Sequence, residues 1–135
     1  MPKDQADALN LTGVWHGQYS YPTNKPPIPF TASLTEVNSW LHGSMEEIGT
    51  AGDARGVTIG ATLQGRRTGR QVTWLKFYHG SYRLYDSVSY EGEVSADGTE
   101  IAGRWSILAN WSGRFLMVRQ KGAEAARAKK ATAKV

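Results

Sequence analysis

Cysteine is absent from this 135-residue chain, which excludes a disulfide framework and thiolate chemistry. The chain has only three histidines, and none has the spacing of metal ligands, so we expect no metal site and no cofactor. No apolar run approaches the roughly 20 residues that a helix needs to span a bilayer. The first residues carry acids and no apolar core, which is unlike a signal peptide, so we expect a soluble, cytoplasmic protein.

An excess of charge of one sign is also lacking outside one segment, because acidic and basic residues balance over the rest of the chain. The formal net charge is +4, and residues 121–135 (KGAEAARAKKATAKV) account for all of it. The sequence therefore predicts three parts: a flexible N-terminus (1–10), a folded domain (11–120) and a flexible basic tail rich in alanine and lysine (121–135). The folded domain lacks interleaved basic and aromatic residues, so we expect no nucleic-acid binding beyond a weak contact of the tail.

What the chain does have is alternation of apolar and polar residues in about eight short runs, separated by turn signals. In the segment VSYEGEV (88–94), for example, Val88, Tyr90 and Val94 share one face. Asp97-Gly98 is suited to a tight hairpin, whereas residues 22–29 are rich in proline and predict a loop. Residues 65–70 (GRRTGR) predict a charged hairpin tip, with anion binding as the other interpretation. The pattern indicates an all-β, antiparallel up-and-down barrel.

If such a barrel closes, its first and last strands become neighbours. Trp15 begins the first run and Arg119 ends the last, so the guanidinium can stack on the indole ring. We expect this pair to seal one end of the barrel and a ligand to enter at the other. Glycines at inward positions, such as Gly17 and Gly92, are expected to leave space inside.

Several short motifs resemble those of calycin barrels, and their order is most similar to that of the avidins. The motifs are LTGVW (11–15), LHG (41–43), VTW (72–74) and IAGRW (101–105). The resemblance implies that Trp74 and Trp105 wall a pocket. It does not extend to the polar residues that hold biotin, because Gly17, Met45, Glu47, Asp86 and Val88 stand at their positions. The resemblance therefore implies a barrel with a different ligand.

Polar residues on inward registers are the main candidates for function, because burying an unpaired charge is costly. Glu47 and Lys76 have this pattern: they either lie solvated at the rim, or face the pocket and pair with each other or with Asp86. Aromatic residues on the same registers would complete a lining, unless they only fill the core. The predicted ligand-binding residues are Tyr19, Tyr21, Met45, Glu47, Trp74, Lys76, Tyr78, Asp86, Tyr90 and Trp105.

These residues favour binding of a small apolar or aromatic molecule inside the barrel, and no residue is assigned a catalytic role. Two alternatives stay open. One is an isomerase or cyclase in which Glu47 or Lys76 moves protons. The other is an interaction module with a filled barrel. Outward apolar residues on the fifth and last runs, such as Leu75 and Leu116, predict a homodimer or homotetramer.

Overall fold

The computed structural model describes residues 9–49, 55–79, 87–107 and 111–120. Within these ranges the chain forms eight antiparallel strands and no helix. The strands are β1 (Gly13–Ser20), β2 (Ile28–Val37), β3 (Trp40–Ile48), β4 (Thr58–Thr68), β5 (Gln71–Tyr78), β6 (Val88–Val94), β7 (Glu100–Ile107) and β8 (Trp111–Arg119). Each strand pairs with the next, and β8 pairs with β1, so the sheet closes into a barrel. The predicted fold class is confirmed.

The period-two pattern of the sequence determines which side chains enter the barrel. On β5, Val72, Trp74 and Lys76 are buried, whereas the residues between them are exposed. The same alternation on the other strands produces one continuous core of aliphatic and aromatic side chains. Because both long edges of the sheet are paired at the β1–β8 seam, the barrel has no free edge strand.

Tight turns connect β2 to β3 and β6 to β7, and the second lies where Asp97-Gly98 predicted a hairpin. Asn38 and Ser39 link β2 to β3 with φ values of 50° and 70°, the left-handed conformation that a two-residue hairpin requires. Gly98 has a φ of 75° in the turn before β7. Asp97 Oδ1 accepts a hydrogen bond from the Thr99 backbone N–H at 3.1 Å. These side-chain and backbone bonds hold the β6–β7 hairpin in one register.

Two predicted boundaries are wrong. Residues 65–68 belong to β4 rather than to a charged hairpin tip, and the turn begins at Gly69, which has a φ of 60°. The strand continues because Arg67 enters the barrel and pairs with a buried acid. The proline-rich loop ends earlier than predicted, since β2 begins at Ile28 and includes Pro29. Pro29 pairs only with β1, because the register with β3 begins at Phe30, and a proline is tolerated at such a strand start.

The two ends of the barrel differ. We call the end where β1 begins the Trp15 end, and the end where β1 finishes the Lys76 end. At the Trp15 end, the Arg119 guanidinium lies 5.2 Å from the centre of the Trp15 ring, as predicted. Arg119 also donates hydrogen bonds to the backbone oxygens of Asn10 and, at 2.9 Å, of Thr12. Arg119 thereby ties the segment before β1 to the end of β8.

A second contact at the Trp15 end was not predicted. Arg67 donates two hydrogen bonds to Glu36, at 2.8 Å and 2.7 Å, one to each carboxylate oxygen. The backbone N–H of Leu11 donates to the same carboxylate at 3.0 Å, and both charged side chains are less than 10% exposed. The bidentate geometry pairs the two buried charges with each other, and the Leu11 N–H bond joins the segment before β1 to this pair.

The inward glycines do not leave open space at the positions named above. A Cβ atom on Gly17 would lie 2.7 Å from the Phe30 ring, and one on Gly92 would lie 3.0 Å from the Phe115 ring. Neighbouring aromatic rings therefore occupy the room that these glycines provide, and the expectation of empty volume there is wrong.

No helix in the described residues is long and apolar enough to cross a membrane. Leu75, Phe77, Leu116 and Val118 are between 37% and 44% exposed on the outer face of the barrel. They form two separate surfaces, since β5 and β8 are not neighbours in the closed sheet. The predicted basic tail and Asp86 lie outside the described residues.

Candidate functional site

The Lys76 end brings together predicted site residues from four strands. Tyr19 lies near the end of β1, Glu47 near the end of β3, Lys76 near the end of β5, and Tyr90 near the start of β6. Because the strands are antiparallel, these positions meet at one end of the barrel, and their registers all point inward. β4 passes between β3 and β5 with the small Ala61 at this level, which lets side chains from β3 and β5 meet over it.

Lys76 lies at the centre of this group and is 1% exposed. Its Nζ donates hydrogen bonds to Tyr78 Oη at 2.8 Å and to Tyr90 Oη at 3.1 Å. The ammonium also lies 4.4–5.3 Å from the ring centres of Tyr78, Tyr19 and Tyr90, within the range of a cation–π interaction. The alternative in which Lys76 is solvated at the rim is therefore wrong.

Glu47 supplies the negative charge of the group. Its Oε1 lies 3.4 Å from Lys76 Nζ, a long contact made by one oxygen. The stronger hydrogen bonds come from tyrosine: Tyr19 Oη donates to Oε2 at 2.5 Å, and Tyr78 Oη donates to Oε1 at 2.9 Å. Glu47 and Lys76 do pair, in one of the two ways that the sequence predicted. We call Glu47, Lys76, Tyr19, Tyr78 and Tyr90 the Lys76 cluster.

Burial changes the protonation equilibria of this cluster. It lowers the pKa of Lys76, and the nearby Glu47 carboxylate opposes this shift only in part. Burial and the negative charge nearby raise the pKa values of Tyr19, Tyr78 and Tyr90, so all three hydroxyls stay protonated at neutral pH. The Lys76 cluster therefore holds three protonated tyrosines around a lysine that loses its proton more easily than an exposed one.

Aromatic rings continue from the cluster toward the rim. Tyr21 packs edge-on against Trp105, with ring centres 5.6 Å apart, and stacks on Trp111 at 5.5 Å. Trp105 Nε1 donates to the backbone oxygen of Ser20 at 2.9 Å. Tyr21 is only half-buried and follows the last residue of β1, so it belongs to the rim rather than to the interior. Trp111 completes this group and was missed, because the turn signal before β8 hid its register.

Trp74 lies deeper, two residues before Lys76 on the same face. Its ring stacks on Tyr90 with centres 5.6 Å apart and meets the edge of Phe115. Trp74 Nε1 is buried and has no hydrogen-bond partner within the ranges that the structure describes. Buried donors are almost always paired, and an unpaired one costs about 1–3 kcal/mol. The indole N–H is therefore a buried donor whose desolvation no described acceptor offsets.

Met45 is buried on β3, one inward position deeper than Glu47. Of the predicted site residues, Tyr19, Glu47, Lys76, Tyr78 and Tyr90 form the cluster, and Trp74, Trp105, Tyr21 and Met45 extend it along the inner wall and rim. Asp86, the remaining predicted residue, lies outside the described residues.

The unpredicted pair of Glu36 and Arg67 could have been found from the sequence. Glu36 continues the inward register of Ala32 and Leu34, and Arg67 continues that of Leu63. Following the alternation past the apparent turn signals would have placed both charges inside. Their complete pairing at the Trp15 end contrasts with the looser contacts at the Lys76 end.

No group of three or more histidine, cysteine or acidic side chains in the described ranges could hold a metal ion. His16 and His79 lie on the outer face, where the His79 ring contacts Thr62 Oγ1 at 2.6 Å. Comparison with protein-family models and with curated proteins found no match to the chain.

Proposed function

We propose that the barrel binds a small aromatic or apolar molecule bearing a hydrogen-bond acceptor, at the Lys76 end. The main support is the buried Trp74 Nε1, which has no hydrogen-bond partner among the described residues. Trp74 lies two residues before Lys76, whose shortest hydrogen bonds are to tyrosine hydroxyls. We also propose that the barrel is calycin-like and most similar to the avidins. The supporting features are the closed eight-stranded topology and the four motifs quoted above.

The two ends of the barrel provide an internal comparison. At the Trp15 end, Glu36 and Arg67 make a bidentate pair with every contact short, which is the geometry of a purely structural ion pair. At the other end, Lys76 and Glu47 make one contact at 3.4 Å. Burying charges without optimal pairing opposes folding by several kcal/mol per ion. Unfavourable arrangements of this kind are typical of sites that serve a ligand.

The lining determines the ligand chemistry. Stacked and edge-on rings favour a flat aromatic body, since ring pairs add about 0.5–1.5 kcal/mol beyond their buried area. Trp74 Nε1 is a buried donor without an acceptor among the described residues, so the molecule should carry a carbonyl or carboxylate oxygen. The positions where avidins bind the polar part of biotin hold Gly17, Met45, Glu47, Asp86 and Val88, so most of the converging uncharged donors and acceptors are missing. A biotin-like ligand is therefore not proposed.

Tryptophan fluorescence tests this proposal with 2-naphthoate and naphthalene as probes. We expect saturable quenching by both compounds, with tighter binding of the carboxylate. Trp74→Phe keeps an aromatic ring but removes the N–H, and should weaken 2-naphthoate binding by about tenfold, the loss of one hydrogen bond to a charged acceptor. Trp40→Phe is the matched control, because Trp40 is 58% exposed at the Trp15 end. No saturable binding, or equal binding by both variants and wild type, would refute the proposal.

A second candidate is proton transfer by Lys76, favoured by the lowered pKa of its buried amine. A neutral amine can take a proton from the carbon next to a ketone, as an isomerase requires. Exchange of the α-hydrogens of 2-tetralone for solvent deuterium, followed by NMR, tests this reaction. Wild type should accelerate exchange and Lys76→Met should not; equal rates would exclude the catalytic role.

We also propose that the chain self-associates, on the basis of the exposed apolar residues on β5 and β8. Leu75 and Phe77 form one surface, and Leu116 and Val118 the other. Two separate surfaces are consistent with a dimer that uses one of them or a tetramer that uses both. Light scattering should give the mass of a dimer or tetramer, and Leu75→Lys or Leu116→Lys should reduce it. A monomer at all concentrations would contradict the proposal.

A further inference from the structure

A shallow groove runs along the outside of the barrel next to the rim at the Lys76 end. It crosses β8 between β7 and the end of β1, and its volume is about 370 Å³. Its lining residues are Ser20, Tyr21, Pro22, Arg104, Ser112, Gly113 and Arg114. The groove is separate from the interior site, because Arg104 and Arg114 point outward on their strands.

The two arginines in this groove are directly opposite each other on β7 and β8. Like charges at opposite positions of an antiparallel pair destabilise the sheet. Among the described residues, the ion pairs are Glu36–Arg67, Glu93–Arg70 and Glu47–Lys76, so none of them neutralises either arginine. Glu91 is opposite Arg104 on β6, but the two side chains form no ion pair there. The unfavourable pairing is consistent with a site that an anion completes.

Hydroxyl groups extend the same surface. Arg104 Nη2 donates to Ser112 Oγ at 3.1 Å, which holds this guanidinium at the groove. Ser20 is opposite Arg114 on β1, on the other side of the groove. Ser112 Oγ accepts the bond from Arg104, and within the part of the chain that the structure describes neither serine hydroxyl donates to another group, so both can donate to a ligand. Two guanidinium groups and two hydroxyls thus surround one space.

We propose that this groove binds a phosphate monoester. A dianionic phosphate offers three terminal oxygens, and planar guanidinium groups donate to such oxygens in pairs. Tyr21 and Pro22 provide an apolar wall beside the arginines, so the organic part of the ester would lie against them. The groove shares Tyr21 with the aromatic rim, but neither Lys76 nor Trp74 lines it, so the proposal does not depend on an interior ligand.

Titration of ¹⁵N-labelled protein with phenyl phosphate, followed by NMR, tests this site. We expect saturable shifts at the Arg104, Ser112 and Arg114 amides. Arg104→Gln and Arg114→Gln should each weaken binding by about tenfold, the loss of one charge-assisted contact. Arg104→Lys keeps the charge without the planar pair of donors and should fall between wild type and Arg104→Gln.

The matched control is Arg66→Gln, which removes the same charge from an exposed position at the Trp15 end, where Arg66 lies over the Trp40 ring. Equal weakening in this variant would mean a general charge effect and would overturn the proposal, as would the absence of saturable shifts. Vesicles of phosphatidylcholine with and without phosphatidic acid distinguish a lipid headgroup from a soluble ester. Binding to phosphatidic acid vesicles without binding of phenyl phosphate would overturn the assignment to a soluble ester.

Discussion

Removing Glu47 and removing Lys76 should lower the free energy of unfolding by different amounts. Glu47→Gln leaves Lys76, which is 1% exposed, without a nearby negative charge. Lys76→Met leaves Glu47 with two tyrosine donors, at 2.5 Å and 2.9 Å, on a side chain that is 10% exposed. We therefore expect Glu47→Gln to be the more destabilising substitution at neutral pH.

The geometry gives the magnitude of this difference. Two unit charges 3.4 Å apart attract each other by about 5 kcal/mol at an effective dielectric constant of about 20. Part of that attraction is offset by residual hydrogen bonds to tyrosine, so Glu47→Gln should lower the free energy of unfolding by about 3 kcal/mol. Lys76→Met removes the unfavourable burial of the ammonium together with the attraction, and should change stability by at most about 1 kcal/mol.

The difference should also depend on pH. The pKa of Lys76 is lower in the folded protein than in the unfolded chain, so between these two values the unfolded chain binds more protons. Stability therefore rises with pH through that interval, until ionisation of tyrosines in the unfolded chain, near their ordinary pKa of 10.0, reverses the trend. The loss of unfolding free energy caused by Glu47→Gln should shrink as the pH rises from 7 toward 10. Without the Glu47 carboxylate, Lys76 becomes neutral more readily than it does in the wild-type protein.

Urea unfolding at pH 7 and at pH 9.5, followed by circular dichroism, measures these free energies. Glu46→Gln is the control, since Glu46 is the exposed neighbour on the same strand and should have no effect. The reasoning would be refuted if Lys76→Met were the more destabilising variant at pH 7, or if the deficit of Glu47→Gln were the same at both pH values.

Three further predictions concern the ends of the barrel. Arg67→Met should lower the free energy of unfolding by about 3–5 kcal/mol, because it leaves the Glu36 carboxylate buried with one backbone donor; a loss below 1 kcal/mol by urea unfolding would contradict this. Arg119→Met should cost about 2 kcal/mol by removing the stacking on Trp15 and the bonds to backbone oxygens, while probe binding at the Lys76 end stays unchanged; an altered probe affinity would count against the structural role. The buried tyrosines should ionise only as the protein unfolds, since their raised pKa values add stability below pH 10 that is lost above it. Absorbance at 295 nm follows tyrosine ionisation, and circular dichroism follows the fold. Titration of all six tyrosines near their ordinary pKa while the circular dichroism spectrum stays native would contradict this.

Alternation was sufficient to predict the barrel and most of the Lys76 cluster from the sequence. Trp74, Lys76 and Tyr78 share one register of a single strand, and closure of the sheet brings that register to Glu47. The contact distances could not be predicted, because they depend on how far each strand is shifted relative to the next. The one-sided, long contact between Lys76 and Glu47 is such a detail.

The errors arose where local residue preferences competed with the sheet. Residues 65–68 contain a glycine and two arginines and indicate a turn, yet burial of Arg67 against Glu36 extends the strand. Gly17 and Gly92 indicated space, but rings from neighbouring strands fill it. In both cases the deciding partner is distant in the sequence. The cytoplasmic location stays a prediction.

The seam between β1 and β8 determines where the barrel can be attached to something else. β1 begins at Gly13 and β8 ends at Arg119, and Trp15 is directly opposite Arg119 in the register. Both ends of the barrel's chain therefore leave from the side opposite the Lys76 cluster. A surface, dye or fusion partner joined before Gly13 or after Arg119 would be attached at the Trp15 end, so the aromatic rim at the Lys76 end would face the solution. The same arrangement would let a short linker join Arg119 to Gly13 in a circularly permuted barrel.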